Sequence, residues 1–256
     1  MTPLSHDPPD AAGAWCDLQR LYCPPEQWQA GRLHLNRDQV HYLTHVLRLT
    51  PGGRFIALDG RGSWWLARLE SVTTAGLEQR LAVNHELPIP ITLLVAVPKG
   101  DGFDLIVRQA TELGVHQVVP LLSGRTQVHP SHAKVTRWQR LAQEAAEQAE
   151  RQVVPTVTDP CSWETALSLA KGYCGLGVTR RPAAVPLSQW LTPRPAEPIT
   201  LAFGPEGGWT DTEVEQGLAR GFTPITLGPR ILRTTTAPLA ALAVVATLLE
   251  GTLSVD

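Results

Sequence analysis

The sequence predicts an α/β protein with a mainly parallel sheet, preceded by a small and mostly β domain. Three observations support this fold class. Downstream of residue 90, apolar strand patterns alternate with helix patterns, which is typical of a parallel sheet. Upstream of it, short strand patterns are separated by turns. Two glycine-rich junctions, residues 203–208 and 227–237, each lie where a strand passes into a helix, which is where ligands bind in such sheets.

Composition limits the class of protein. The 256 residues suffice for one large or two modest domains, and the net charge of −2 argues against general nucleic-acid binding through charge alone. No apolar run reaches the length of a membrane span. The four cysteines lack C-x-x-C spacing, which predicts reduced thiols, no metal site and a cytoplasmic location. Residues 1–17 lack the pattern of a signal peptide and predict a flexible tail.

The predicted N-terminal domain covers residues 18–87. An amphipathic pattern at residues 38–47 predicts a helix. Two apolar strand patterns flank the turn sequence Asp59-Gly60-Arg61-Gly62 and predict a β-hairpin with strands at residues 54–58 and 64–69. A further strand is expected at residues 81–83.

The predicted second domain covers residues 91–256. Its strand patterns are residues 91–97, 118–122, 173–178, 199–203 and 224–227. Its helix patterns are residues 101–113, 134–151, 210–220 and 237–250. Thr210 and Glu213 form a capping-box pattern at one helix start, and Gly114 and Gly221 each follow a helix end.

The two glycine-rich junctions predict a ligand site built from the main chain. Phe203-Gly204-Pro205-Glu206-Gly207-Gly208 follows one buried strand, and residues 227–237 follow the next. Glycine lets main-chain N–H and C=O groups approach a ligand without an intervening Cβ. The sequence lacks the G-x-x-x-x-G-K-[ST] and G-x-G-x-x-G patterns, so a generic nucleotide-binding enzyme is disfavoured.

An ordered set of motifs runs along most of the chain. In the first domain the motifs are Arg20-Leu21-Tyr22 and His45-Val46-Leu47-Arg48. In the second they are Lys99-Gly100-Asp101, residues 111–115, Pro120, Ser123, Arg125, residues 144–148, Arg151, Pro155 and the two glycine-rich junctions. Taken in order, these motifs resemble those of the RsmE-type 16S ribosomal RNA uracil-N3 methyltransferases of the SPOUT class.

The resemblance implies a PUA-like β-barrel that binds RNA, followed by a SPOUT domain whose parallel sheet ends in a C-terminal trefoil knot. It implies S-adenosylmethionine as cofactor, 16S ribosomal RNA or the small ribosomal subunit as partner, a homodimer, and no metal or membrane. The implied reaction is methylation of uracil N3. Two alternatives stay open: another SPOUT RNA methyltransferase acting on ribose 2′-O or guanine, and a non-catalytic RNA-binding protein that retains the cofactor pocket.

Site residues are implied by the same resemblance. Uracil N3 is protonated at neutral pH, so the site must remove that proton or stabilise the resulting anion, and arginines suit the second task. The predicted catalytic residues are Arg233, Glu206 and Arg125. The predicted RNA-binding residues are Arg20, Arg48 and Lys99. The predicted cofactor-binding residues are Leu201, Phe203, Gly204, Pro205, Glu206, Gly207, Gly208, Leu227, Gly228, Ile231, Leu232, Thr236 and Ala237.

Some of these positions allow two interpretations. Glu206 either has a role towards substrate or favours the dipole of the following helix. Thr235 lies where the family usually has an acidic residue; that carboxylate either assists proton removal or only caps the helix, and threonine can replace a cap. Glu150 lies where glycine is common, so the turn there is expected to differ. The helix at residues 237–249 is apolar all round, which fits a monomer core or a dimer interface.

Overall fold

The structure of the chain is a computed structural model that describes residue 15 and residues 17–181, 183–192 and 195–251. The chain divides into two compact units, Met1–Asn84 and His85–Asp256. The predicted tail, residues 1–17, lies outside the described residues except for residues 15 and 17. Within the described residues, no helix combines the length and the apolar character needed to cross a membrane.

The first unit contains a six-stranded sheet and one short helix. Its elements are β1 (Arg20–Tyr22), β2 (Trp28–Gln29), β3 (Arg32–His34), α1 (Arg37–His41), β4 (Arg54–Leu58), β5 (Trp64–Leu69) and β6 (Thr74–Leu81). The strands pair in the order β1-β4-β5-β6-β3-β2; β1 is parallel to β4 and the other pairs are antiparallel. Among the described residues the edge strands β1 and β2 do not pair with each other, so hydrogen bonding does not close the sheet into a barrel.

The sequence predicted the elements of this unit with mixed success. The β4–β5 hairpin is confirmed, with Leu58 opposite Trp64. The predicted helix is present as α1, which has a capping box, followed directly by a π-helical turn at Tyr42–Val46. The strand expected at residues 81–83 is wrong in its bounds, because β6 ends at Leu81. The sequence did not indicate the rest of β6, because its exposed residues Glu78, Gln79 and Arg80 are all polar and break the alternation of apolar and polar residues.

The second unit alternates strands and helices. Its elements are β7 (Ile91–Ala96), α2 (Gly102–Glu112), β8 (Gln117–Leu122), α3 (His132–Gln148), β9 (Thr156–Val157), β10 (Cys161–Ser162), α4 (Trp163–Leu169), β11 (Tyr173–Gly177), β12 (Val185–Pro186), α5 (Leu187–Trp190), β13 (Ile199–Phe203), α6 (Asp211–Ala219), β14 (Thr223–Thr226) and α7 (Thr236–Glu250). The eight strands form one sheet in the order β10-β8-β7-β13-β11-β14-β12, with β9 beside β8, and every pair is parallel. The predicted parallel α/β fold is confirmed.

Both faces of this sheet are buried. On one face Leu93 and Val95 of β7 pack in a cluster with residues of α2, α3 and α7, including Phe103, Trp138 and Leu242. On the other face Leu94 belongs to a second cluster with residues of α4 and α6, including Trp163 and Val214. Side chains of a strand point alternately to opposite faces, so a strand covered on both sides is apolar throughout. This explains the continuous apolar run at residues 91–97.

Residues with left-handed backbone follow three of the helices, and two of these residues are the predicted glycines. Gly114 (φ 87°) and Gly221 (φ 85°) follow α2 and α6 in the left-handed region that favours glycine. The turn after α3 has the same backbone conformation, although residue 150 is glutamate (φ 54°). Glu150 thus adopts a conformation that disfavours side chains. That this turn differs from the family's stays a prediction.

The last helix lies far across the sheet from the strand that precedes it. β14 is separated from β13 by β11, and α7 nevertheless contacts both α2 and β13. The segment between Thr226 and Thr236 therefore carries the chain back along the sheet towards β7 and α2. This return brings the second glycine-rich junction next to the first helix of the unit.

Candidate active site

Four segments follow strands at the carboxyl edge of the parallel sheet. They are the β7 loop (residues 97–101), the β8 loop (residues 123–131), the β13 loop (residues 204–210) and the β14 loop (residues 227–235). Because all strands are parallel, these four loops lie at the same edge. This edge is the usual place for a ligand in an open α/β sheet.

The β13 loop is a tight turn whose glycines are needed. The Gly208 N–H donates to the Pro205 carbonyl at 2.8 Å, and Gly208 has φ 69°. Trp209 folds back and donates from Nε1 to the Gly177 carbonyl at 3.0 Å. A Cβ at Gly204 would lie 3.0 Å from the Trp209 ring. Left-handed backbone and close ring packing thus account for two glycines of this motif.

Side chains connect the β13 loop to two neighbouring loops. Glu206 Oε1 accepts a hydrogen bond from the Lys99 N–H of the β7 loop at 3.1 Å. Arg125 of the β8 loop donates from Nη1 to the Gly207 carbonyl at 2.7 Å and to the Trp209 carbonyl at 3.2 Å. A Cβ at Gly207 would lie 3.3 Å from Arg125 Cδ, so the arginine fills the space beside this glycine. Both side chains were predicted as catalytic, and both connect loops here.

The β14 loop presents main chain and apolar side chains. Gly228 has φ 103°, and its N–H donates to Thr226 Oγ1 at 3.2 Å. The side chain of Ile231 is 64% exposed, while Leu227 and Leu232 are half-buried. A side chain as apolar and exposed as Ile231 is available to cover a ligand.

Two arginines of the β14 loop are available for anions. Arg230 and Arg233 are exposed, and neither guanidinium has a hydrogen bond or ion pair among the described residues. Arg125, in contrast, uses Nη1 on two carbonyl oxygens. The geometry therefore separates a predicted catalytic arginine that is unengaged, Arg233, from one that holds a loop.

Thr235 packs instead of capping. It is the N-cap residue of α7, but its side chain makes no capping hydrogen bond. A Cβ added at Gly102, the first residue of α2, would come within 2.8 Å of Thr235 Cγ2 and 3.1 Å of Pro98 Cγ. The helix-capping interpretation of this threonine is thus unsupported. The segment of residues 98–102 meets the β13 loop through Lys99 and the end of the β14 loop through Gly102.

The remaining predicted residues have varied surroundings. Leu201 (0% exposed) and Phe203 (4%) lie in the apolar core, and Pro205 is buried. Thr236 and Ala237 begin α7, and their N–H groups both donate to the Arg233 carbonyl at 2.9 Å. The Lys99 side chain is exposed.

The two other predicted RNA-binding residues lie in the first unit. Arg20 donates to the Leu18 carbonyl at 2.8 Å and lies over the Trp64 ring at 5.8 Å. Arg48 is exposed and has φ 56°.

The sequence did not indicate two residues that hold the loops of the candidate site by hydrogen bonds to their main chain. Glu213, noted only as part of a capping box, also accepts from the Gly124 N–H of the β8 loop at 2.7 Å. Lys134 Nζ donates to the Gly100 carbonyl of the β7 loop at 3.2 Å. The capping-box pattern pointed to Glu213, but no local pattern shows which distant loop a side chain reaches.

A cavity of about 190 Å³ lies at the opposite edge of the sheet. It is lined by the ends of α2 and α7, including Glu112, Leu113, Ala246 and Glu250, together with Arg151. Ligands of parallel sheets bind at the carboxyl edge, so this cavity is not the candidate site. Among the described residues no group of three or more His, Cys, Asp or Glu side chains is arranged to hold a metal ion.

Comparison with known proteins identifies the family. The family model described as "RNA methyltransferase domain" matches residues 85–246, and the one described as "RNA methyltransferase PUA domain" matches residues 35–76. A Synechocystis sp. protein named ribosomal RNA small subunit methyltransferase E is 45% identical over 239 residues, which cover 91% of this chain and 78% of that protein. The chain belongs to the ribosomal RNA small subunit methyltransferase E family.

Other members of this methyltransferase E family agree. The Bacillus subtilis protein is 31% identical over 231 residues, covering 85% of this chain and 90% of that one. The crystal structure of the Neisseria gonorrhoeae methyltransferase E bound to S-adenosyl methionine is 32% identical, with a TM-score of 0.80 and coverage of 90% of this chain and 98% of that one. The predicted resemblance, the class of enzyme and the PUA-like first domain are confirmed.

The contact between Gly102 and Thr235 yields a prediction for the site. Gly102→Ala is expected to lower the free energy of unfolding by about 1–2 kcal/mol, because the new Cβ overpacks the junction. Thr235→Ser removes Cγ2 and is expected to recover part of that loss when combined with Gly102→Ala. Urea denaturation of the four proteins measures both effects. If Gly102→Ala lowers the free energy of unfolding equally with threonine and with serine at position 235, the contact between Gly102 and Thr235 is contradicted.

Proposed function

We propose that this protein transfers a methyl group from S-adenosylmethionine to N3 of a uracil in 16S ribosomal RNA. The observation that carries the proposal is the meeting of two glycine-rich loops with one segment, residues 98–102, at the carboxyl edge of the sheet. This arrangement occurs in a chain of the methyltransferase E family, whose named members are ribosomal RNA small subunit methyltransferases.

The loops fit the cofactor that the Neisseria gonorrhoeae relative binds. No heavy atom lies within 4 Å of the position of a Cβ at Gly208 or Gly228, so a ligand has room beside both glycines. Ile231, Leu227 and Leu232 offer apolar cover for an adenine ring. We place the cofactor against the main chain of residues 203–208, 227–232 and 236–237, with Leu201 supporting from the core. The cofactor supplies a methyl group already activated on a sulfonium.

The chain's own residues must prepare the nucleophile. We assign Arg233 to the stabilisation of negative charge on a uracil oxygen, because its guanidinium is exposed and unengaged among the described residues. Glu206 is the candidate proton acceptor: Oε1 accepts from Lys99 N–H, and Oε2 has no hydrogen bond within the described part of the chain. Arg125 serves the reaction by holding the β13 loop. Thr235 has no carboxylate, so it takes no part in proton removal.

Connectivity and surface support two finer features of the family. The return of the chain from β14 past β11 and β13 to α2 supports a C-terminal trefoil knot. Three exposed apolar side chains on the neighbouring helices α2 and α7 support a homodimer: Leu105 (45%), Val244 (39%) and Leu248 (45%). The free thiols of Cys161 and Cys174 are consistent with a reducing cytoplasm.

The first unit presents an exposed element suited to RNA. The π-helical turn at Tyr42–Val46 leaves Val46 58% exposed, and His41 and His45 stack with ring centroids 4.9 Å apart. Arg48, two residues after the turn, lies in the left-handed region. π-helical turns and left-handed non-glycine residues concentrate at functional sites. We therefore place Arg48 at the RNA-contacting surface, where a guanidinium suits phosphate.

The direct test is methyl transfer to isolated RNA and to small ribosomal subunits that lack the modification. The protein, labelled S-adenosylmethionine and substrate are incubated, and the nucleosides are separated by chromatography against standards and fragmented in a mass spectrometer, which shows whether the methyl group is on the base or on the ribose. N3-methyluridine is the expected product. A 2′-O-methyl or methylguanine product would replace the assigned chemistry. Cofactor binding without transfer to any substrate would instead favour a non-catalytic RNA-binding protein.

The RNA surface can be tested at Arg48. Arg48→Ala is expected to weaken binding of 16S RNA about tenfold at fixed salt, because one or two phosphate contacts are lost, and to spare cofactor affinity. Arg48→Gly relaxes the left-handed backbone as well, so equal losses in both variants assign the effect to the guanidinium. Arg80→Ala removes an exposed arginine from β6 and serves as control. Unchanged RNA affinity in both Arg48 variants would remove Arg48 from the surface.

The dimer interface can be tested with matched leucines. Leu248→Glu on α7 is expected to shift the protein from dimer to monomer, because a carboxylate must be buried unpaired in the interface. Leu218→Glu on α6 changes a leucine of almost equal exposure (46%) and is expected to leave the dimer intact. Sedimentation velocity distinguishes the two species. A Leu248→Glu dimer would place the interface elsewhere.

A further inference from the structure

Glu213 is a buried carboxylate without a cation. It lies in the first turn of α6 and is 7% exposed. Among the described residues no lysine, arginine or histidine forms an ion pair with it. Burying a charge without a partner is unfavourable unless hydrogen bonds replace the lost water. The groups that donate hydrogen bonds to this carboxylate therefore indicate its role.

Two of the three donors belong to the helix start. Glu213 Oε2 accepts from the Thr210 N–H at 2.8 Å and from the Thr210 hydroxyl at 3.0 Å. The bond from the Thr210 N–H belongs to the capping box, the bond from the hydroxyl adds to it, and the N-terminal end of the helix dipole favours the charge. Capping explains an acidic residue here, but a cap at a protein surface does not have to be buried.

The third donor comes from the β8 loop. The Gly124 N–H donates to Glu213 Oε1 at 2.7 Å. The next residue, Arg125, donates to the carbonyls of Gly207 and Trp209. Gly124 and Arg125 are thus tied to the segment of residues 207–213 by three hydrogen bonds, one into a carboxylate and two from a guanidinium. Bonds that involve a charged group are the stronger kind.

The opposite side of Glu213 is also fixed. Trp163 of α4 donates from Nε1 to the Glu213 main-chain carbonyl at 2.9 Å, and both residues of that bond are buried. The carboxylate therefore extends from a rigid part of the core to two exposed loops. A short, rigidly held acceptor of this kind sets the position of its donors.

We propose that Glu213 is a positioning residue for the cofactor site. Its carboxylate fixes the β8 loop against the β13 loop, and the β13 loop then presents its main chain to the methyl donor in one geometry. Glu213 acts through Gly124 and Thr210 and touches neither cofactor nor RNA. The inference rests on the proposed function for its ligand, and on the geometry alone for the loop contact.

The test pairs two glutamates of α6. Glu213→Gln keeps the shape but weakens the acceptor facing Gly124, while Glu215→Gln makes the same charge change at an exposed position. Isothermal titration with S-adenosylhomocysteine is expected to show about tenfold weaker binding for Glu213→Gln, because the Gly124 N–H then donates to a neutral amide instead of a charged carboxylate. Glu215→Gln is expected to bind like the wild type.

Hydrogen exchange separates positioning from overall stability. Glu213→Gln is expected to speed amide exchange in residues 124–126 and 207–210 while the sheet core exchanges as before. A lower melting temperature with unchanged affinity and unchanged loop exchange would overturn the proposal. If the wild type itself fails to bind S-adenosylhomocysteine, the proposed function is at fault, and the exchange pattern still decides the loop contact.

Two further variants keep the test independent of the folding of α6. Gly124→Pro removes the donor and leaves Glu213 intact, and Gly124→Ala is its control, since a Cβ there would lie 3.6 Å from Glu213 Oε1 in ordinary contact. The proline variant is expected to reproduce the weaker binding, and the alanine variant is not. Arg125→Ala combined with Glu213→Gln is expected to cost less than the sum of the two, because both hold the same loop. Additive losses would contradict a shared loop contact and would overturn the proposal.

Discussion

A parallel sheet covered on both faces constrains almost everything else in the second unit. Parallel strands need helical crossovers, and the crossovers cover the sheet with α2, α3 and α7 on one face and α4 and α6 on the other. Inside the sheet the main-chain N–H and C=O groups are hydrogen-bonded to neighbouring strands. Beyond the strand ends these groups can bind a ligand. The four loops at the carboxyl edge therefore have main-chain groups available for a ligand, and the candidate site lies at this edge.

Main chain, more than side chains, shapes the candidate site. The glycines serve several purposes: Gly208 and Gly228 have left-handed backbone with open space beside them, whereas Gly204 and Gly102 avoid close contacts with Trp209 and Thr235. Two side chains that were predicted as catalytic instead connect neighbouring loops. Arg125 and Glu206 bind carbonyl and N–H groups of neighbouring loops, which leaves Arg233 as the unengaged predicted catalytic cation among the described residues.

Thr235 lies where the resemblance to the family led us to expect an acidic residue. Thr235 does not replace an acidic residue by capping α7; its methyl group packs on Gly102, at the junction of the two glycine-rich loops with α2. Thr235 therefore takes part in the packing between the β14 loop and α2. Glu150 is a parallel case, since the turn after α3 keeps left-handed geometry without glycine.

The sequence by itself determined the parallel α/β fold, the β4–β5 hairpin, the capping box at Thr210 and Glu213, and the two glycine-rich loops, because each depends on local periodicity or on the conformational freedom of glycine. It also determined the family, because an ordered set of motifs is specific. Only the tertiary structure decided which partners the site residues have. Arg125 reaches Gly207 and Glu213 reaches Gly124 across 82 and 89 residues of chain, and no local pattern encodes such contacts. Strand order decides them, because it brings distant loops to one edge of the sheet.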